Sequence, residues 1–171
     1  MRGPAPVPLR IEPLTRAAFA PFGEVMETAG AELRSINEGT TERYHAVAHA
    51  DVGKERGQAI VSLFRANRRP SPILIRMLER HPLGSQAFYP LSHEDWLVVV
   101  GEGKDRPEPG TIRCFRATGA QGVNYARNTW HHPVLVLAAV QDFIVVDRQG
   151  PGNNLEECWF QKPAEQFVIV V

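Results

Sequence analysis

Residues 96–100 read Trp-Leu-Val-Val-Val and are closed by Gly101. A short apolar run, rich in valine and ended by glycine, reads as a buried strand. Runs of the same kind flank it. Residues 59–66 (AIVSLFRA) alternate apolar residues with Ser62 and Arg65, and residues 73–78 (ILIRML) and 111–115 (TIRCF) follow. Residues 134–140 (VLVLAAV) and 143–146 (FIVV) are split by Gln141 and Asp142, and 167–171 (FVIVV) form a last candidate strand. Glycine and proline punctuate the chain at 82–84, 101–103, 107–110, 119–122 and 150–152. That spacing predicts an all-β barrel or sandwich rather than alternating βα units. Helix is expected only in short pieces near the N-terminus, where Thr15 can cap a turn over 14–22 (LTRAAFAPF) before Pro21 and Gly23 end it. Residues 1–10 are Pro-rich and expected to be extended or frayed. Residues 40–51 are ambiguous.

The chain has 171 residues, which fits a single domain over 1–171. Lys+Arg and Asp+Glu are both 19, so the formal net charge is zero. A nucleic-acid binder normally carries a basic excess, and none is present. The longest apolar runs fall well short of the roughly 18 residues that a membrane helix needs. Prolines interrupt the opening MRGPAPVPLR, so no export signal is expected there. Cys114 and Cys158 form no CxxC pair, which fits reduced thiols in a cytoplasmic protein.

Four stretches concentrate chemistry-bearing residues. His81 enters a turn in ERHPLGSQAF, and Gln86 follows at the start of a strand. If Gln86 points into a barrel, Phe88 does too, while Ala87 and Tyr89 point out. His131 and His132 are adjacent in GVNYARNTWHHP, together with Asn124. Adjacent strand residues face opposite sides, so both histidines serve one site only if a bulge intervenes. Asp142 sits between apolar runs, where a buried carboxylate needs a partner, and Arg148 is available. Arg65 is a candidate carboxylate clamp. Residues 37–45 mix turn chemistry with a candidate binding edge. Phosphate-cradling glycine loops, GxSxG, HExxH and paired CxxC motifs are absent from the sequence.

Taken together, NEGTTERYH, ERHPLGSQAF, GVNYARNTWHHP and DFIVVDRQG resemble the ureidoglycolate lyase family, in that family's order, from about residue 9 to about residue 156. The resemblance implies a cupin-like β-barrel or jelly roll, a homodimer, and elimination of urea from (S)-ureidoglycolate to give glyoxylate in allantoin degradation. No redox cofactor is implied. The reaction needs a base for the substrate hydroxyl, a partner for the departing urea, and cations for the carboxylate. His131 or His132 is the candidate base, with His81 beside them and Asp142 to orient a histidine. Arg65 and Arg148 would hold the carboxylate, and Asn124 and Gln86 the ureido group. A metal-binding cupin pattern is present in degraded form. His81 is kept, Leu83 and Gln86 stand where a His and a Glu would be, and His131 matches the distal His. Both a divalent ion such as nickel on His81, Gln86 and His131 and a metal-free pocket fit that set. Two other classes stay open. One is a cupin isomerase or epimerase acting on another small hydroxy or keto acid. The other is a non-enzymatic binder of small carboxylates.

Overall fold

The run at 96–100 is the spine of the larger sheet. In the computed structural model, which describes residues 5–171, the chain forms β1 (Val7–Pro8), β2 (Ile11–Pro13), α1 (Arg16–Phe19), β3 (Gly23–Met26), β4 (Glu32–Ile36) and β5 (Thr41–His45). It continues with β6 (Gln58–Asn67), β7 (Ile73–Ile75), β8 (Met77–Arg80), β9 (Gln86–Pro90), β10 (Trp96–Gly101) and β11 (Arg113–Ala117). The last strands are β12 (Gly122–Tyr125), β13 (Trp130–His131), β14 (Leu135–Val136), β15 (Val140–Gln149), β16 (Glu156–Trp159) and β17 (Phe167–Ile169).

A seven-stranded sheet runs β16-β8-β13-β10-β11-β2, with β14 also on β10. A five-stranded sheet runs β3-β12-β9-β15-β6. The two face each other across a core of Phe88, Trp96, Val98, Phe115, Tyr125 and Phe143, into which Phe19 and Phe22 also pack, against Phe115 and Tyr125. This is the expected cupin-like β-barrel. The outer face of the larger sheet is buried too. Leu97, Val99 and Cys114 pack there against Ile73, Ile75, Phe167 and Ile169 from a small sheet ordered β1-β17-β7. Alternate residues of 96–100 therefore serve two cores, which is why the run is apolar throughout instead of alternating. Burial pushes the Cys114 thiol up to about 12, which leaves it inert at neutral pH.

Several local expectations shift. Thr15 does cap α1, its Oγ1 accepting from the Ala18 N–H at 3.2 Å. Residues 73–78 make two strands, broken at the exposed Arg76. Of 134–140, Leu135 and Val136 form β14 and Val140 begins β15. Gln141 and Asp142 lie inside β15 and do not divide two strands. The strand tolerates them because the Gln141 amide donates to the Glu94 carbonyl and Asp142 pairs with Arg65 on β6. Within the Pro-rich start, β1 is bonded in parallel to β17, and residues 1–4 lie outside the described residues. The stretch 32–45 is a solvent-exposed two-stranded hairpin.

Candidate functional site

The site lies in the barrel interior beside Tyr125, whose ring stacks on His131 and also packs on Phe19 of α1. Its key positions follow from strand register. Glu79 on β8 lies directly opposite His131 on β13, and His131 lies opposite the core residue Val100. Both side chains therefore point inward. On the other sheet Tyr125 lies opposite Gln86, two residues along from Phe88 in the core. Asp147 shares the inward face of β15 with Phe143 and Val145. His81 follows the end of β8 and turns into the same space.

Each histidine is locked by its outer nitrogen. His131 Nδ1 lies 2.9 Å from the Thr129 carbonyl and His81 Nδ1 lies 2.7 Å from the Asn154 carbonyl. Both Nδ1 atoms must then carry the proton, which turns the two Nε2 atoms inward. His131 Nε2 is buried without a hydrogen-bond partner, 3.7 Å from Glu79 Oε1. His81 Nε2 lies 4.0 Å from the same oxygen and 3.1 Å from Gln86 Oε1. The Gln86 amide is oriented by donating to Asp147 Oδ2 at 3.2 Å, so its carbonyl, not its NH2, faces His81.

Acceptors thus converge on one point: two imidazole lone pairs, a carboxylate and an amide oxygen. A cation placed among them satisfies all four at once, whereas without one they oppose each other. The ligand atoms of Glu79, His81 and His131 lie within 4.8 Å of one another. The donor set therefore fits a divalent ion, and Glu79 supplies the anionic ligand that the neutral Gln86 lacks.

Burial sets the electrostatics. Desolvation, reinforced by nearby His81, depresses His131 to about 3, so its ring is neutral at pH 7. Desolvation by burial raises Glu79. Tyr125 is raised by its complete burial.

His132 reaches the site through a bulge. His131 is opposite Val100 but Leu135 is opposite Leu97, so residues 132–134 face only residues 98–99. The His132 ring is buried, its Nδ1 lies 2.7 Å from the Pro133 carbonyl, and desolvation lowers it to about 4. It lines a cavity of 350 Å3 together with Glu79, Met77, Trp159, Arg69 and Arg76. Glu79 belongs to both the acceptor cluster and this cavity.

The other expected residues lie apart. Arg65 and Asp142 form a bidentate pair, both contacts 2.9 Å, on the exposed outer face of β6 and β15. Arg65, and not Arg148, is thus the partner of Asp142, and no histidine touches either. Arg148 is buried and gives its Nε and Nη2 protons to the carbonyls of Lys54, Glu55 and Pro151. Asn124 points away from Tyr125 and donates to Glu24 Oε2 and to the His49 carbonyl, both at 2.9 Å. Of the site residues the sequence reading missed, Glu79 had a legible signal. Glu79 stands two residues before His81, a strand spacing that shares one face. Arg69 and Arg76 carried no such signal.

The family model described as ureidoglycolate lyase matches residues 7–167. The chain belongs to the ureidoglycolate lyase family. It is 56% identical to ureidoglycolate lyase 1 of Rhizobium meliloti over 162 residues, which is 94% of this chain and 92% of that protein. It is 51% identical to the ureidoglycolate lyase of Pseudomonas entomophila, over 95% of this chain and 96% of the relative. Among solved structures it resembles a dTDP sugar isomerase from Desulfovibrio desulfuricans (TM-score 0.45, 16% identity, 78% of this chain and 84% of that one). It also resembles a variant of Bacillus subtilis oxalate decarboxylase (TM-score 0.38, 14% identity, 59% and 23%). No helix among the described residues of this ureidoglycolate lyase family member is long and apolar enough to cross a membrane.

Proposed function

We propose that this chain catalyses the elimination of urea from (S)-ureidoglycolate to give glyoxylate, with residues 1–171 acting as one domain. Membership of the ureidoglycolate lyase family, matched over residues 7–167, carries this reading.

The substrate carbon bears a hydroxyl, a carboxylate and a ureido nitrogen. The hydroxyl must lose its proton as the C=O forms and the C–N bond breaks, and the ureido nitrogen must gain one. His132 suits that transfer. Its Nδ1 proton is held by the Pro133 carbonyl, its ring is neutral at pH 7, and its Nε2 is left to take the hydroxyl proton and return it to the leaving nitrogen. Proton and electron pair balance, and no oxidant is required. Glu79, His81 and His131, with Gln86 alongside, would hold a divalent ion such as nickel. Such an ion would supply positive charge where the hydroxyl deprotonates. Tyr125 fixes the His131 ring, and Asp147 fixes the Gln86 amide.

The protein acts as a cytoplasmic homodimer in this reading. Val61 and Leu63 on β6 are 71% and 74% exposed and adjoin the exposed Ile144 and Tyr89, an apolar sheet face suited to a second copy. The Arg65–Asp142 pair beside it carries one charge of each sign, so a two-fold axis could exchange the partners. Leu63→Glu should convert a dimer to a monomer in sedimentation. A monomeric parent chain would refute the dimer.

Product analysis tests the function. Purified protein given ureidoglycolate should release glyoxylate and urea in equal amounts and no ammonia. Ammonia in place of urea, or no turnover with any divalent ion, would refute it.

A further inference from the structure

We infer that Arg69 and Arg76 form the anion-binding wall that takes the substrate's carboxylate in the cavity beside Glu79. This rests on the proposed reaction and adds a specificity element to it.

The need is chemical. A carboxylate entering a cavity beside buried histidines loses water and requires charge-assisted donors in return. The arginines whose place in the motifs suggested that role are engaged elsewhere: Arg65 by Asp142, and Arg148 by three backbone carbonyls. Arg80 and Arg127, near the same end of the barrel, pair with Glu156 and Asp51. Arg69 and Arg76 make no side-chain hydrogen bond and no salt bridge among the described residues, and both line the cavity that holds Glu79 and His132.

The chain places them there by two irregularities. Arg69 lies just beyond the end of β6. Arg76 occupies the break between β7 and β8, three residues before Glu79, and its carbonyl accepts from the Phe160 N–H at 2.8 Å. A continuous strand over 73–80 would leave no break at that point. The two arginines are exposed and also line an adjoining depression of 390 Å3 with Pro70, Pro72 and Ile73. Glu157, paired in register with Glu79, also lines the cavity, and its charge disfavours ligands of higher negative charge. A monoanion whose carboxylate faces the arginines presents its carbinol end to His132 and Glu79.

Arg69→Ala and Arg76→Ala should each raise KM for ureidoglycolate about tenfold or more, as loss of a charged hydrogen bond implies, while kcat falls less. Lys at either position should recover part of the KM. Glyoxylate titrated by calorimetry gives a readout free of turnover. It should bind the parent chain, and bind the two Ala variants at least tenfold more weakly. Parent-like KM and parent-like glyoxylate affinity in both Ala and both Lys variants would overturn the clamp while leaving the lyase reading standing. A parent chain that releases no urea yet loses glyoxylate affinity on substitution would support the anion wall and refute the reaction.

Discussion

The His131 imidazole lies stacked on the Tyr125 ring, with centroids 4.1 Å apart and planes 13° from parallel. Two sheets meet at this contact, since His131 belongs to the seven-stranded sheet and Tyr125 to the five-stranded one. The stack and the Thr129 carbonyl together leave the ring little rotational freedom. Tyr125→Phe keeps the ring face and should change stability by no more than about 1 kcal/mol. Tyr125→Ala removes it and should cost about 3–5 kcal/mol. Urea denaturation of both variants checks this, and equal losses would mean that the ring face is unimportant.

Four acceptors converge where the structure brings in a carboxylate that the degraded cupin pattern lacked. Calorimetric titration with nickel or zinc should therefore show one site per chain. His131→Ala and Glu79→Gln should weaken it, and Gln86→Glu, which adds a charge among the acceptors, should tighten it. Unchanged affinity across all three variants would place any bound ion elsewhere.

Arg148 is a structural strut. It sits against Gly57, Gly84 and Gly150, where an added Cβ would fall between 2.2 and 3.0 Å from its side chain or its glycine neighbour. Arg148→Ala would remove the guanidinium's hydrogen bonds to the Lys54, Glu55 and Pro151 carbonyls, about 1.5–3 kcal/mol for a bond to a charged group. Lys lacks the planar fork and should rescue little. Denaturation midpoints should drop in both variants, while KM in whatever protein folds should stay near the parent value. A raised KM with normal stability would reassign Arg148 to the substrate.

Glu12 and Arg113 join β2 to β11 through a bidentate pair at 3.0 and 2.8 Å. The Arg113 hydrogen bonds hold Glu12 below the usual carboxylate range. A depressed carboxyl adds stability above its unfolded value of about 4.3 and loses it as pH falls through the folded value. The Tm advantage of the parent over Glu12→Gln should thus be constant near neutrality and vanish in acid below about pH 4. An advantage that persists in strong acid would show that charge is not its source.

The fold was legible because β-strands announce themselves by short apolar runs between glycines and prolines. The run at 96–100 read correctly even without alternation. Boundaries failed where tertiary partners override local polarity. Gln141 and Asp142 looked like a break only because Glu94 and Arg65, which satisfy them, are distant in sequence. The same held at the site. His81, Gln86 and His131 were visible as a worn metal pattern, and the bulge that serves His132 was anticipated as a condition. Arginine roles were not legible, since a guanidinium's function depends on which oxygen it meets. Arg65, Arg148, Arg69 and Arg76 look alike until the fold separates them.

The central claim is that urea is eliminated at the barrel end where Glu79 faces His131 and adjoins the His132 cavity. Steady-state turnover of ureidoglycolate by Glu79→Gln, with thermal unfolding recorded on the same sample, tests it most directly. kcat should fall about 100-fold or more, since the anionic ligand of the cation site is lost, with Tm at or above that of the parent, because a partly buried carboxylate has been made neutral. A kcat within threefold of the parent in the folded variant would contradict it.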